Sequence, residues 1–174
     1  PEDWIGFIGR VHPHKGLAEA IEIARQAKQV LRIAGVIDRS DPNVLRYWDE
    51  LQPMIDNKNV IYEGELAGTD RLEFYRRAKA TIAPLQWEEP FGFVFIEAMS
   101  VGTPVIAYGR CSAPEIIRDG EGGLIVEPDD IHGMVEAVGR IDSIDRSAVR
   151  KYAEENFTIE AMVDQYEALY RRLI

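Results

Sequence analysis

Residues 80–108 read Ala80-Thr81-Ile82-Ala83-Pro84-Leu85-Gln86-Trp87-Glu88-Glu89-Pro90-Phe91-Gly92-Phe93-Val94-Phe95-Ile96-Glu97-Ala98-Met99-Ser100-Val101-Gly102-Thr103-Pro104-Val105-Ile106-Ala107-Tyr108. The first five residues form a short apolar run of strand character. A polar, turn-forming run follows and passes into an apolar helix that reaches Val101. Gly102-Thr103-Pro104 breaks the helix, and Val105 to Tyr108 is the next strand. Pro90 suits the first turn of a helix, where its missing N–H costs nothing. Gly92 lets another group approach the backbone closely. The amides of Phe93 and Val94 then stand as unpaired donors at a helix N-terminus, a ready anion site. Glu89 and Glu97 are eight positions apart, and Glu97, about two turns in, can face the side of the loop. Two readings of these carboxylates stand at this point. They are solvent-facing residues of a capped helix, or acceptors for sugar hydroxyls beside a bound anion.

Working outward, the same alternation recurs. Strands are expected at Trp4–Ile8, Val30–Gly35, Asn59–Glu63 and Gly123–Val126 as well as at 80–84 and 105–108. Between them lie helices at Leu17–Ala27, from Asp41-Pro42 to about Ile55, at Asp70–Arg77 and at Ser112–Arg118. Helical runs at about 130–140, 145–155 and 159–173 complete the chain. Short, wholly apolar strands separated by helices predict an α/β fold: a Rossmann-like, doubly wound parallel sheet of about six strands with helices on both faces. The whole of 1–174 reads as one domain. In such sheets ligands bind outside the carboxyl ends of the strands. The loops at 9–16, 35–41, 64–68, 84–92 and 108–113 should therefore share one rim, which gathers Arg10, Lys15, Glu89 and Glu97.

Composition narrows the function. The formal net charge is -10, with 46% hydrophobic and 29% charged residues. A soluble globular domain is indicated, and a nucleic-acid partner is disfavoured, because a phosphate backbone needs dense cationic surface. Cys111 is the sole cysteine, so no internal disulfide forms, which fits a reducing, cytoplasmic setting. No run approaches the roughly 18 apolar residues of a membrane span. The abrupt apolar start after Pro1-Glu2-Asp3 reads as a cut from a longer protein.

The loop Gly9-Arg10-Val11-His12-Pro13-His14-Lys15-Gly16 offers two cations at a strand-to-helix turn. It is either a phosphate-binding turn or an ordinary exposed loop, and it matches neither a Walker loop nor a dinucleotide fingerprint. His12, His14 and the distant His132 do not make a metal set. Ser112 lacks a nucleophile-elbow context.

Taken in order, these motifs resemble the nucleotide-binding C-terminal domain of group 1 (family four) GT-B glycosyltransferases. The resemblance rests on Phe7-Ile8-Gly9-Arg10, Lys15-Gly16, Ile33-Ala34-Gly35, Gly64, Ala83-Pro84, Glu89-Pro90-Phe91-Gly92, Glu97-Ala98-Met99 and Gly102-Thr103-Pro104. It continues through Ala113-Pro114-Glu115, Gly120, Gly123-Leu124 and Pro128, nearly the whole chain. It implies a retaining, metal-independent hexosyltransferase of glycan biosynthesis whose substrate is a UDP-, GDP- or ADP-sugar, with no further cofactor. Arg10, Lys15 and Glu89 are the implied catalytic set: the two cations on the donor diphosphate, Glu89 on the sugar hydroxyls. Gly9, Gly35, Glu65, Leu66, Pro90, Phe91, Gly92, Phe93, Val94 and Glu97 are the implied donor-binding residues, with Glu97 on the ribose and Glu65-Leu66 near the base. Ser112-Ala113 stands where many relatives carry Gly-Gly. The resemblance also implies a missing N-terminal acceptor domain, without which this chain binds donor but transfers poorly. Peripheral membrane contact is open to the complete protein. The alternatives are a non-catalytic nucleotide-binding module and a piece of a GT-B phosphorylase or epimerase.

Overall fold

The computed structural model describes residues 1–173. Six strands are present: β1 (Trp4–Ile8), β2 (Val30–Ala34), β3 (Val60–Gly64), β4 (Ala80–Ala83), β5 (Val105–Tyr108) and β6 (Gly123–Val126). They form one sheet in the order β3-β2-β1-β4-β5-β6, with every pairing parallel. Chain direction across the sheet reverses between β1 and β4, which places a crevice beyond their carboxyl ends. Register there sets Ile5 opposite both Leu31 and Ala80.

Eight α-helices are present among the described residues: α1 (Leu17–Ala27), α2 (Pro42–Leu51), α3 (Gly68–Arg77), α4 (Phe93–Ser100), α5 (Ala113–Ile116), α6 (Ile131–Arg140), α7 (Arg146–Asn156) and α8 (Ile159–Leu173). On one face α1, α2 and α6 bury Leu17, Ile21, Trp48, Met134 and Val138 against Ile5, Phe7, Leu31, Ile33 and Ile106. On the other, α3, α4 and α7 bury Tyr75, Phe95, Met99, Val149 and Tyr152 against Ala83, Val105 and Ala107. Both faces are thus covered, which is why the strands carry apolar residues without alternation. Each large side chain buried this way contributes roughly 1.5–3 kcal/mol.

Several expected boundaries move for physical reasons. The helix expected to reach about Ile55 ends at Leu51 and tightens into a 3-10 turn at Gln52–Met54. Pro53 lacks the N–H that would continue the helix, and its ring crowds the carbonyl four residues back. The helix α3 begins two residues early, at Gly68. Pro90, expected in the first turn of α4, lies in a bend outside it, because α4 starts at Phe93 behind a left-handed Gly92.

Arg146, half-buried at the start of α7, ties the two halves of the second layer together. Its guanidinium donates to the carbonyls of Arg76, Ala78 and Lys79 and to Thr103 Oγ1, at 2.9, 2.9, 3.2 and 2.7 Å. Three of these acceptors are carbonyls at the C-terminal end of α3, where cations are favoured. The last helix, α8, buries none of its described side chains. Ile159, Met162, Tyr166 and Leu169 form an exposed apolar row at helical spacing. None of the described helices is long and apolar enough to cross a membrane.

Candidate active site

The loops after β1 and β4 meet at the crevice and are locked together by backbone. Pro13–Lys15 makes a 3-10 turn whose entry is fixed by the His14 amide donating to His12 Nδ1. Gly16 then takes φ 75° so that the chain can turn into α1. A Cβ at Gly16 would lie 1.9 Å from the Pro84 carbonyl oxygen, so the close approach of the two loops requires glycine. One contact further on, the Gln86 amide donates to the His14 carbonyl at 2.9 Å.

This locking brings together residues far apart in sequence. Lys15 Nζ lies 2.6 Å from Glu89 Oε2, with the two side chains 20% and 16% exposed. Trp87 Nε1 donates to the same carboxylate oxygen at 3.1 Å. The Lys15 ammonium also sits 4.7 Å from the centre of the Trp87 ring, and the His14 ring stacks on that indole. Behind Glu89, the Ser112 hydroxyl lies 2.7 Å from the Glu89 carbonyl oxygen and 3.0 Å from that of Phe91, and donates to one of them. Ser112 is buried, so the β5–α5 loop holds the Glu89 loop from beneath.

At Gly92, φ of 81° swings the chain into α4, and a Cβ would fall 2.4 Å from the Phe95 ring. Among the described residues no side chain caps α4. The amides of Phe93 and Val94 have no carbonyl one turn back inside the helix, so they point out of its positive end. Gly9, Lys15, Glu89, Gly92, Phe93 and Val94 line a cavity of about 220 Å3 between β1, β4 and this helix end. A second, larger cleft of about 500 Å3 lies beside it, lined by Arg10, His12, Arg39, Asp41 and Trp87 among others. Lys15 forms part of both walls. Burial lowers the His12 pKa first, and the neighbouring His14 and Arg10 lower it further.

The remaining expected residues spread along the rim. Arg10 is exposed and faces the larger cleft. The Gly9 amide donates to Ala34 and the Gly35 amide to Gly64, which steps the rim from β1 to β3. Glu65 is exposed, and Leu66 packs on the Trp4–Phe74 cluster. Pro90 and Phe91 are exposed beside the cavity. Glu97 is the fifth residue of α4, so it lies about one turn in, not two. It turns toward α3, where Arg71 Nη2 lies 2.9 Å from Oε1 and the Tyr75 hydroxyl donates to Oε2 at 3.2 Å. Burial, reinforced by this carboxylate, pushes the Tyr75 phenol well above its ordinary pKa. Arg71 and Tyr75, inside α3, escape sequence reading because no local pattern there points at the rim, and Trp87 and Ser112 lie in loops expected on the rim but carry no spacing that assigns them a role. Among the described residues, no group of three or more His, Cys, Asp or Glu side chains could hold a metal ion.

The arrangement sets helix-end amides and a lysine beside a carboxylate. Amides and a cation of this kind can attract negative charge, and a carboxylate such as Glu89 can accept from hydroxyl groups.

The chain is similar to known proteins over most of its length. A D-inositol 3-phosphate glycosyltransferase from Acidothermus cellulolyticus is 44% identical over 147 residues, covering 78% of this chain and 32% of that protein. Among solved structures, a glycosyltransferase involved in avilamycin A biosynthesis superposes with a TM-score of 0.80 at 29% identity, covering 99% of this chain and 51% of that one. An Anabaena protein solved with UDP shares the fold, with a TM-score of 0.80 at 19% identity, 98% of this chain and 49% of its own. The chain spans less than half the length of the curated relatives it matches. The family model described as glycosyl transferases group 1 matches residues 1–156. With nine-tenths of its length under that model, the chain belongs to the group 1 glycosyltransferases.

Proposed function

We propose that this chain is the donor-binding half of a retaining glycosyltransferase, which moves a sugar from a nucleoside diphosphate to an acceptor hydroxyl without a metal. The observation that carries the reading is the Lys15–Glu89 pair at the mouth of the α4 cavity. A cation and a carboxylate held side by side suit a ligand in which phosphate adjoins a sugar. Lys15, Arg10 and the Phe93 and Val94 amides receive the diphosphate. They stabilise the negative charge that grows on it as the bond from sugar carbon to phosphate oxygen breaks. Glu89 accepts from the sugar hydroxyls. Glu97, held by Arg71 and Tyr75, accepts from the ribose. Backbone at Glu65-Leu66 and side chains following Gly35 face the base. The Anabaena protein of the same fold holds UDP, which makes uridine compounds the first to try.

The acceptor site belongs to further chain in the complete protein, consistent with relatives about twice as long. The exposed apolar row of α8 and the neighbouring Phe91 and Phe93 then pack against that part.

The test is thermal denaturation of the chain with UDP, GDP and ADP. A ligand at 100 times its Kd stabilises by roughly 2.7 kcal/mol, which raises Tm by about 5–11 °C for a domain of this size. Arg10→Ala and Lys15→Ala should each diminish the rise. If none of the three shifts Tm at millimolar concentration, the donor-binding reading fails.

A further inference from the structure

We propose that Trp87 is a positioning residue for both charged groups of the donor site, a role that rests on the donor-binding reading above. Its indole serves the two groups through different surfaces. The ring N–H donates to Glu89 Oε2 at 3.1 Å, and the ring face carries the Lys15 ammonium at 4.7 Å. Lys15 Nζ also reaches Glu89 Oε2, at 2.6 Å, so one carboxylate oxygen has two donors, one charged and one neutral.

The two donors differ in what happens when an anion arrives. A diphosphate draws the Lys15 ammonium away, because phosphate offers more negative charge than a carboxylate. Glu89 then loses its cation. The indole N–H carries no charge for the phosphate to compete for, and it remains on Oε2. It therefore holds the carboxylate in one orientation while the other oxygen is free to accept from sugar hydroxyls. The ring face restrains Lys15 without using any of its N–H groups, which stay available to the ligand. Only tryptophan combines a large face with a ring donor that never ionises in this range. Trp87 is itself fixed: its chain neighbour Gln86 is bonded to the His14 carbonyl, and the His14 ring lies parallel to the indole at 6.3 Å.

The experiment compares Trp87→Phe and Trp87→Leu with the wild-type chain by calorimetric titration with UDP, GDP and ADP and with the glucose and mannose conjugates of whichever binds. Phenylalanine keeps a face for Lys15 and loses the donor to Glu89. Trp87→Phe should hold the nucleoside diphosphate Kd within about twofold. It should reduce the additional affinity conferred by the sugar by about ten- to a hundredfold, the range for a hydrogen bond to a charged group. Trp87→Leu should weaken the diphosphate as well, by about threefold. Equal weakening of diphosphate and sugar nucleotide by Trp87→Phe, or an unchanged sugar contribution, overturns the proposal.

A second measurement needs no ligand. The chain has three tryptophans, so the Trp87 indole N–H resonance is assigned by its loss in Trp87→Phe. Glu89→Ala should accelerate its exchange with solvent at least tenfold. Unchanged exchange overturns the proposal, whether or not a nucleotide binds. Absence of nucleotide binding by the wild-type chain defeats the donor reading instead.

Discussion

Replacing Gly16 by alanine adds one methyl group at the point where the β1 and β4 loops touch. The new Cβ would stand 1.9 Å from the Pro84 carbonyl oxygen and 2.7 Å from its carbon. Carbon–oxygen contacts relax near about 3.3 Å, so the loops must part by roughly 1.4 Å. Both atoms belong to backbone and neither can rotate aside. The Gln86–His14 hydrogen bond, now 2.9 Å, would be stretched out of range. Losing it costs about 1 kcal/mol, and a left-handed alanine costs roughly 1–2 kcal/mol more. The sum, about 2–3 kcal/mol, corresponds to a fall in Tm of roughly 4–12 °C at this chain length. Gly120→Ala supplies the control, since Gly120 also has positive φ, 81°, but nothing within 4 Å of an added Cβ. It should show the conformational cost alone, about 1–2 kcal/mol. Urea denaturation followed by circular dichroism measures both variants. If Gly16→Ala destabilises no more than Gly120→Ala, the loops are not in hard contact and the reasoning is wrong.

Two further perturbations probe the frame around the site. Arg146→Met should destabilise by about 3 kcal/mol in urea denaturation, because it leaves the carbonyls ending α3 without their charged donor; a loss under 1 kcal/mol would mean water replaces the guanidinium. Asp56 accepts from the Lys58, Asn59 and Val60 amides, and these bonds hold its carboxyl well below the ordinary range. A depressed folded-state pKa stabilises above the unfolded value and ceases to do so as the carboxylate protonates. Asp56→Asn should therefore lower Tm at pH 7, and the gap from wild type should close as pH falls below about 4. A gap that is constant with pH would show that the charge is not what matters there.

The sequence by itself determined the α/β class, the six strands, the parallel sheet and the helices on both faces. It could do so because strand burial and helix periodicity are local signals, repeated along the chain with glycine or proline at the breaks. The ordered motifs also pointed to the family that the comparisons establish. Element ends were less legible: Pro53 halted α2 early, and Gly92 rather than Pro90 opened α4.

Only the tertiary structure decided the partnerships. Lys15 and Glu89, 74 residues apart, share a hydrogen bond because Gly16 lets two loops press backbone to backbone. Glu97 turns to Arg71 and Tyr75 because α4 packs beside α3. Arg10 and Glu89, gathered on one rim by topology, face neighbouring cavities with Lys15 between them. Trp87 was placed on the rim by its loop but given no role, since that role depends on what lies across the loop and not on its spacing along the chain. Hydrophobic pattern fixes which face of an element is buried, whereas which polar groups meet over the sheet edge depends on loop geometry to within an ångström, and that is set by packing.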